Sequence, residues 1–201
     1  VAWLAAVVAL YHATYRTGER QLLYGANLAA IILTGLVGTW ASLTFTQTAV
    51  CIAWVGLGAF YVGGRVYRSW RHDTVVWDIM FLSAILTTTI AGVFALFSSS
   101  QTDVLAAGVA LLAIGSAIFY DDRQNRRLRL LDLGVIIGMI GFQRMIGVYF
   151  PDMHHLVYTH LWALAAFVVA YVYLAFRTRP EAKVRLIMGL LLLSLPTLNA
   201  A

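Results

Sequence analysis

One rhythm constrains this chain more than anything else in it. Mainly apolar stretches of helix-spanning length recur along all 201 residues, and short polar connections divide them. A hydrocarbon core about 30 Å thick takes about 20 residues of α-helix to cross. In that medium a lone apolar run must satisfy its backbone N–H and C=O groups internally, which only a helix does. Read this way, the expected spans are residues 1–15, 22–40, 48–64, 75–97, 104–120, 130–150, 156–176 and 184–199. The expected fold is all-α: a polytopic transmembrane helical bundle of about eight spans arranged as hairpins.

Composition supports this reading. Apolar residues make up 61% of the chain and charged residues 11%, whereas soluble domains carry about 25% charged residues. Too few charges exist to wet the surface of a globule, so most of that surface faces lipid. The net charge of +5 does not point to nucleic acid, because the basic residues are confined to the connections between apolar runs. Cys51 is the only cysteine, which excludes an intrachain disulfide and dithiol chemistry.

The placement of Lys and Arg sets an orientation. Arg16 and Arg20 divide the first two spans, and Arg65, Arg68 and Arg71 the third and fourth. Arg123, Arg126, Arg127 and Arg129 divide the fifth and sixth, and Arg177, Arg179, Lys183 and Arg185 the last two. The alternate connections at 42–47, 98–103 and 151–155 contain neither residue. Thirteen of the fourteen basic residues therefore fall on one side, which the positive-inside rule makes cytoplasmic. The whole of 1–201 reads as a single transmembrane domain. Val1 and Ala201 both lie in or beside apolar runs, as in a piece of a longer polytopic chain.

The basic connections resemble one another. Beginning at an aromatic residue they read Tyr15-Arg-Thr-Gly-Glu-Arg, Tyr67-Arg-Ser-Trp-Arg-His, Tyr120-Asp-Asp-Arg-Gln-Asn and Phe176-Arg-Thr-Arg-Pro-Glu, spaced 52, 53 and 56 residues apart. Asn27, Asp78 and Asp132 follow the first three aromatics by 11 or 12 residues, and the fourth unit has Met188 there. A period of about 53 residues suggests repeated helical hairpins buried against their neighbours. Two 20-residue spans with short loops produce a similar period without any repetition. With its Arg-rich inner loops and runs such as Arg127-Leu-Arg-Leu-Leu-Asp132-Leu, the chain resembles large bacterial multi-spanning membrane proteins of unknown function that are built from such hairpins. That resemblance implies a fold style and a longer parent chain, and no activity; the expected location is a bacterial inner membrane.

A few residues can carry chemistry. Arg144 is the one basic residue away from the basic side. It sits some 21 Å into its span, counted from Leu130 at about 1.5 Å per residue. An Arg at the bilayer centre costs on the order of 2.5–3.5 kcal/mol, but from this depth a long side chain can reach the outer interface. Three readings stay open: an interfacial anchor, a structural pair with a carboxylate such as Asp103 or Asp152, and a ligand site. The site reading draws on Gln143, Asp152, His155, Tyr158 and His160, all expected at the same outer end. Guanidinium with imidazoles and a phenol can bind a carboxylate or a lipid phosphate. His155 and His160 are five residues apart and do not share a helix face as an i,i+4 pair does, so no metal and no cofactor is expected.

Asp78 and Asp132 lie one turn into their spans at the basic end, where carboxylates either mark an ion path or pair with neighbouring Arg. Asn27 and Thr87–Thr89 read as interhelical hydrogen-bonding groups, and Gly134-x-x-x-Gly138 as a face permitting close helix approach. Retinal chemistry would need a lysine inside the last helix, and Lys183 lies in a connection. Neither a Gly-rich phosphate loop, a Gly-x-Ser-x-Gly elbow nor His-Glu-x-x-His is present. The expected function is a non-catalytic scaffold or assembly module whose partners are lipid and other membrane subunits or copies of itself. The alternatives are a transporter or lipid flippase using the intramembrane Asp and Arg residues, and an envelope enzyme acting on a lipid-linked substrate at the outer face.

Overall fold

The computed structural model describes residues 2–17, 19–71, 73–125 and 131–150. All of their regular structure is helical: α1 (Ala2–Thr17), α2 (Arg20–Trp40), α3 (Phe45–Val55), a π-helical segment (Gly56–Val62), α4 (Gly63–Arg71), α5 (Thr74–Ala95), α6 (Gln101–Asn125) and α7 (Leu131–Tyr149). α3, the π segment and α4 follow one another without a break and form one rod. Among the described residues, Arg20–Trp40, Phe45–Trp70, Thr74–Ala95 and Gln101–Asp121 are long and apolar enough to cross a membrane. Ala2–Thr14 and Leu133–Tyr149 are shorter apolar helices. The expected spans at 156–176 and 184–199 lie outside the described residues.

The chain divides into two compact units, Val1–Met145 and Ile146–Ala201. The second contributes residues 146–150 to the described part, where the Phe150 N–H closes the last turn of α7 on the Ile146 carbonyl at 2.9 Å. The helix packing set out below belongs to the first unit.

Local signals explain where the helices start and stop. Thr44 caps the rod in a reciprocal box: its hydroxyl accepts from the Gln47 N–H, and the Gln47 side chain accepts from the Thr44 N–H at 3.0 Å, satisfying two otherwise orphaned donors. Asp73 caps α5 by accepting from the Val75 and Val76 N–H groups at 2.9 and 3.1 Å. α2 ends in a Schellman turn: the Leu43 N–H reaches back to the Gly38 carbonyl at 2.9 Å and the Ser42 N–H to that of Thr39 at 3.1 Å. Ser42 occupies the left-handed position of this turn, with φ of 56°, where glycine is usual.

α5 is the centre of the bundle. It buries Trp77, Phe81, Ala84, Ile85, Thr88 and Ala91 against the rod on one side and α6 on the other. Thr46 meets Asp103 near the starts of the rod and α6, and Tyr61 meets Asp121 near their other ends, so these two helices run parallel with α5 antiparallel to both. Ala53, Ala91 and Ala110 meet where the three helices cross. Lipid offers no hydrophobic drive between helices, so small residues that let backbones approach carry the packing. α6 and α7 take this furthest: a Cβ added at Gly115 would stand 2.5 Å from the Gly134 carbonyl oxygen. The outward faces carry exposed Leu28, Leu36, Leu86, Ile90 and Val109, an apolar exterior of the kind that suits hydrocarbon.

Candidate functional site

The densest chemistry gathers where the rod, α5 and α6 come together at their Arg-bearing ends. Tyr61 is the last residue but one of the π segment, and Arg65 follows four residues later on α4. The Arg65 Nη1 donates to the Tyr61 hydroxyl at 2.9 Å, and that hydroxyl donates to the Asp121 carboxylate at 2.9 Å. Arg65 Nη1 also stands 3.6 Å from the same carboxylate oxygen. The three groups form a relay of hydrogen bonds from an exposed guanidinium, through a phenol, to a carboxylate only 4% exposed.

Aromatic rings hold this relay in place. The Tyr61 ring packs on Trp77 and Phe81 of α5, with centroids 5.8 and 6.0 Å away, and Trp77 and Phe81 stack on each other at 5.3 Å. The Arg65 guanidinium lies over the Tyr120 ring at 4.9 Å, and that of Arg68 over Trp77 at 5.6 Å. Guanidinium over an aromatic face gains roughly 0.5–1 kcal/mol at an exposed site. A lone carboxylate buried among these helices would cost several kcal/mol, so Asp121 depends on the charge of Arg65 and the hydroxyl of Tyr61. The chemistry of the arrangement is that of a fastening.

A second polar bridge lies nearer the middle of the bundle. Asn27, 3% exposed, accepts from the Tyr11 hydroxyl at 2.7 Å and donates to the Ser83 hydroxyl at 2.9 Å, tying α1, α2 and α5. Thr88 donates to the Ala53 carbonyl of α3 at 3.1 Å. Both make the interhelical bonds expected of them, while the Thr89 hydroxyl has no partner among the described residues. An apolar groove of about 480 Å³ runs between α2, α3 and α5, with Leu28, Ile31, Ile52, Leu86 and Ile90 in its walls. The edge-to-face pair Phe45 and Phe94 closes one end, with centroids 6.1 Å apart. Asn27 and Ser83 border this groove, but Asn27 spends its hydrogen bonds on Tyr11 and Ser83.

At the opposite end, Arg144 on α7 donates its Nη2 to the Leu96 carbonyl at 2.8 Å. That carbonyl follows the last turn of α5, where backbone acceptors lack helical donors. Asp103, weighed above as a partner for Arg144, instead accepts from Ser98 at 2.8 Å and Thr46 at 3.3 Å. Gln143 precedes Arg144 on α7 and is exposed. Asp152, His155, Tyr158 and His160 lie outside the described residues. Asp78 is half-buried on α5. Asp132 falls in the first turn of α7, and its side chain lies outside the described residues. Among the described residues no three His, Cys, Asp or Glu side chains gather as metal ligands do.

The sequence reading missed Tyr61, Arg65 and Asp121 as a unit. One trace was legible: Asp121 is an acidic residue set beside a run of arginines, at the end of an apolar stretch that closes on Tyr120. Compared with protein-family models, with curated proteins and with solved structures, the chain finds no match in any of the three.

Proposed function

We propose that the chain is a non-catalytic module of a bacterial envelope membrane, a scaffold or assembly component that meets neighbouring membrane subunits or copies of itself. The observation that carries this reading is how the polar groups between the helices are used among the described residues. Asn27, Asp121, Asp103, Thr88 and Arg144 each bond to another helix or to the turn beside it. Polar side chains spent in this way fasten helices, and among the described residues they leave little with which to bind or turn over a substrate. The arginine-bearing connections face the cytoplasm on this reading. The full count of eight spans and the 53-residue hairpin period belong to the same proposal.

Reconstitution of the full chain in liposomes tests it. The expected result is proton, ion and fluorescent-lipid movement at the rate of protein-free vesicles, together with migration in a larger membrane assembly after mild extraction. Flux above that background, abolished by Asp78→Asn or Asp121→Asn, would overturn it.

A second reading has one specific observation in its favour. The rod changes to a π-helix midway along its length, beside a buried carboxylate, and π segments and interrupted membrane helices recur at transport and other functional sites. A transporter or flippase using Asp78, Asp132 and Arg144 would then gain Asp121 as a further member of its path. The same flux measurement separates the two readings.

A further inference from the structure

The π segment is unlike every other stretch of helix described. Gly56, Gly58, Gly63 and Gly64 supply four glycines within nine residues, and the Gly63 N–H bonds back to the Gly58 carbonyl, five residues earlier. Such a turn holds one residue more than the α-helix on either side. The segment buries Phe60 completely and packs Tyr61 on Trp77 and Phe81, but its other face is open: a Cβ at Gly58 would meet nothing within 4 Å, and one at Gly63, just past the segment, only the Gly58 carbonyl oxygen at 4.0 Å. Its flanks lie bare against α5, where a Cβ at Gly56 would stand 2.6 Å from the Thr88 hydroxyl and one at Gly64 2.7 Å from the Met80 Cβ. Tyr61, near the end of the segment, and Arg65, past it, are fixed to Asp121 of α6.

We infer that the π segment is a hinge, and that the Tyr61–Asp121 hydrogen bond is the latch that holds it. This goes beyond the scaffold reading and does not depend on it. With the latch broken, the surplus residue can migrate toward α4. Each residue it passes turns by about 100° around the helix axis and advances by about 1.5 Å. α4 then swings Arg65 off Tyr120 and Arg68 off Trp77, while α3 stays anchored by Thr88 and by its capping box. Gly56 and Gly64 let the rod turn against α5 at both flanks, while the buried Phe60 and the Tyr61 ring between them repack. A hydrogen bond to a charged acceptor, once lost, shifts such an equilibrium roughly tenfold or more.

Spin-label distances in nanodiscs test this with the full chain, Cys51 replaced by Ser. Labels at Gln21 and Ser69, both exposed, report α4 against α2, and labels at Thr39 and Gln101 serve as a reference at the other end. The expected result is one distance with the latch intact, and a second distance for Gln21–Ser69 in Tyr61→Phe, with the reference pair unchanged. Deleting Gly58 removes the surplus residue and should abolish that second distance even with Tyr61→Phe present. A single unchanged Gln21–Ser69 distance in Tyr61→Phe overturns the latch. Persistence of the second distance after the deletion overturns the hinge. A third pair, Trp54 and Ser69, brackets the π segment itself. Its distribution must change with Tyr61→Phe, and an unchanged one overturns the proposal whether or not the deletion variant folds.

Discussion

The Arg144 guanidinium ends on the Leu96 carbonyl, 2.8 Å away, and so fastens α7 to the end of α5. A residue that the sequence offers as anchor, ion-pair partner or ligand-binding group is in this structure a donor to a helix terminus. Arg144→Met keeps the aliphatic bulk and removes the donor. Thermal unfolding in detergent should show a loss on the order of 1 kcal/mol, with binding to anionic vesicles unchanged. A fall in vesicle binding at unchanged stability would instead restore the ligand-site reading of Arg144.

Asn27 bridges three helices, so its removal should be felt through both partners. Interhelical hydrogen bonds in membranes average about 0.6 kcal/mol and reach about 1.7. Asn27→Ala is expected to cost about 1–2 kcal/mol. Adding Ser83→Ala to Asn27→Ala should cost almost nothing more, because the bond is already gone. Strictly additive losses in this double-mutant cycle would mean that the Asn27–Ser83 bond contributes no stability.

Ser42 sits at φ of 56°, a conformation that costs an L-residue roughly 1–2 kcal/mol. Ser42→Gly keeps the Schellman turn and removes that cost, and it should raise the unfolding temperature by an amount worth about 0.5–1 kcal/mol. The backbone entropy that glycine loses on folding limits the gain. Destabilisation on this substitution would show that the Ser42 side chain carries a contact of its own.

Glycine positions separate packing from propensity. Gly115→Ala puts a methyl 2.5 Å from the Gly134 carbonyl oxygen and must part α6 from α7, at a cost of about 1–3 kcal/mol. Gly25→Ala meets nothing within 4 Å and should be neutral, or stabilising by up to about 1 kcal/mol, since alanine is the better helix former. Equal effects from the two substitutions would refute the close approach.

What was legible in the sequence, and what was not, divides along one physical line. Hydropathy locates the slab of each helix that suits hydrocarbon, and the expected span at 22–40 lies within α2 as Arg20–Trp40. It does not locate the helix end, because a helix continues past the slab wherever its backbone bonds can be made. The expected span at 48–64 is a rod running from Phe45 to Arg71, and the span expected to close at Tyr120 continues to Asn125. Asp121 belongs to that overhang, one residue beyond the boundary that hydrophobicity draws. Tyr61 and Arg65 fell on opposite sides of a similar boundary at Gly64, so a contact between them had no place in a reading made span by span. The π segment leaves only a density of glycines, which also suits close packing.

The two ends of the Tyr61–Asp121 bond are 60 residues apart in the chain, and this sets an order of biogenesis. The rod and α5 leave the ribosome first, carrying a phenol and a guanidinium whose carboxylate has not yet been made. Until α6 enters the membrane, α4 is held by α5 alone, through Arg68 over Trp77 and the close approach of Gly64 to Met80. Insertion of α6 then brings the carboxylate that completes the fastening of Tyr61 and Arg65. A quality-control protease that recognises unpaired intramembrane polar groups would find its target in a nascent chain stopped before residue 121.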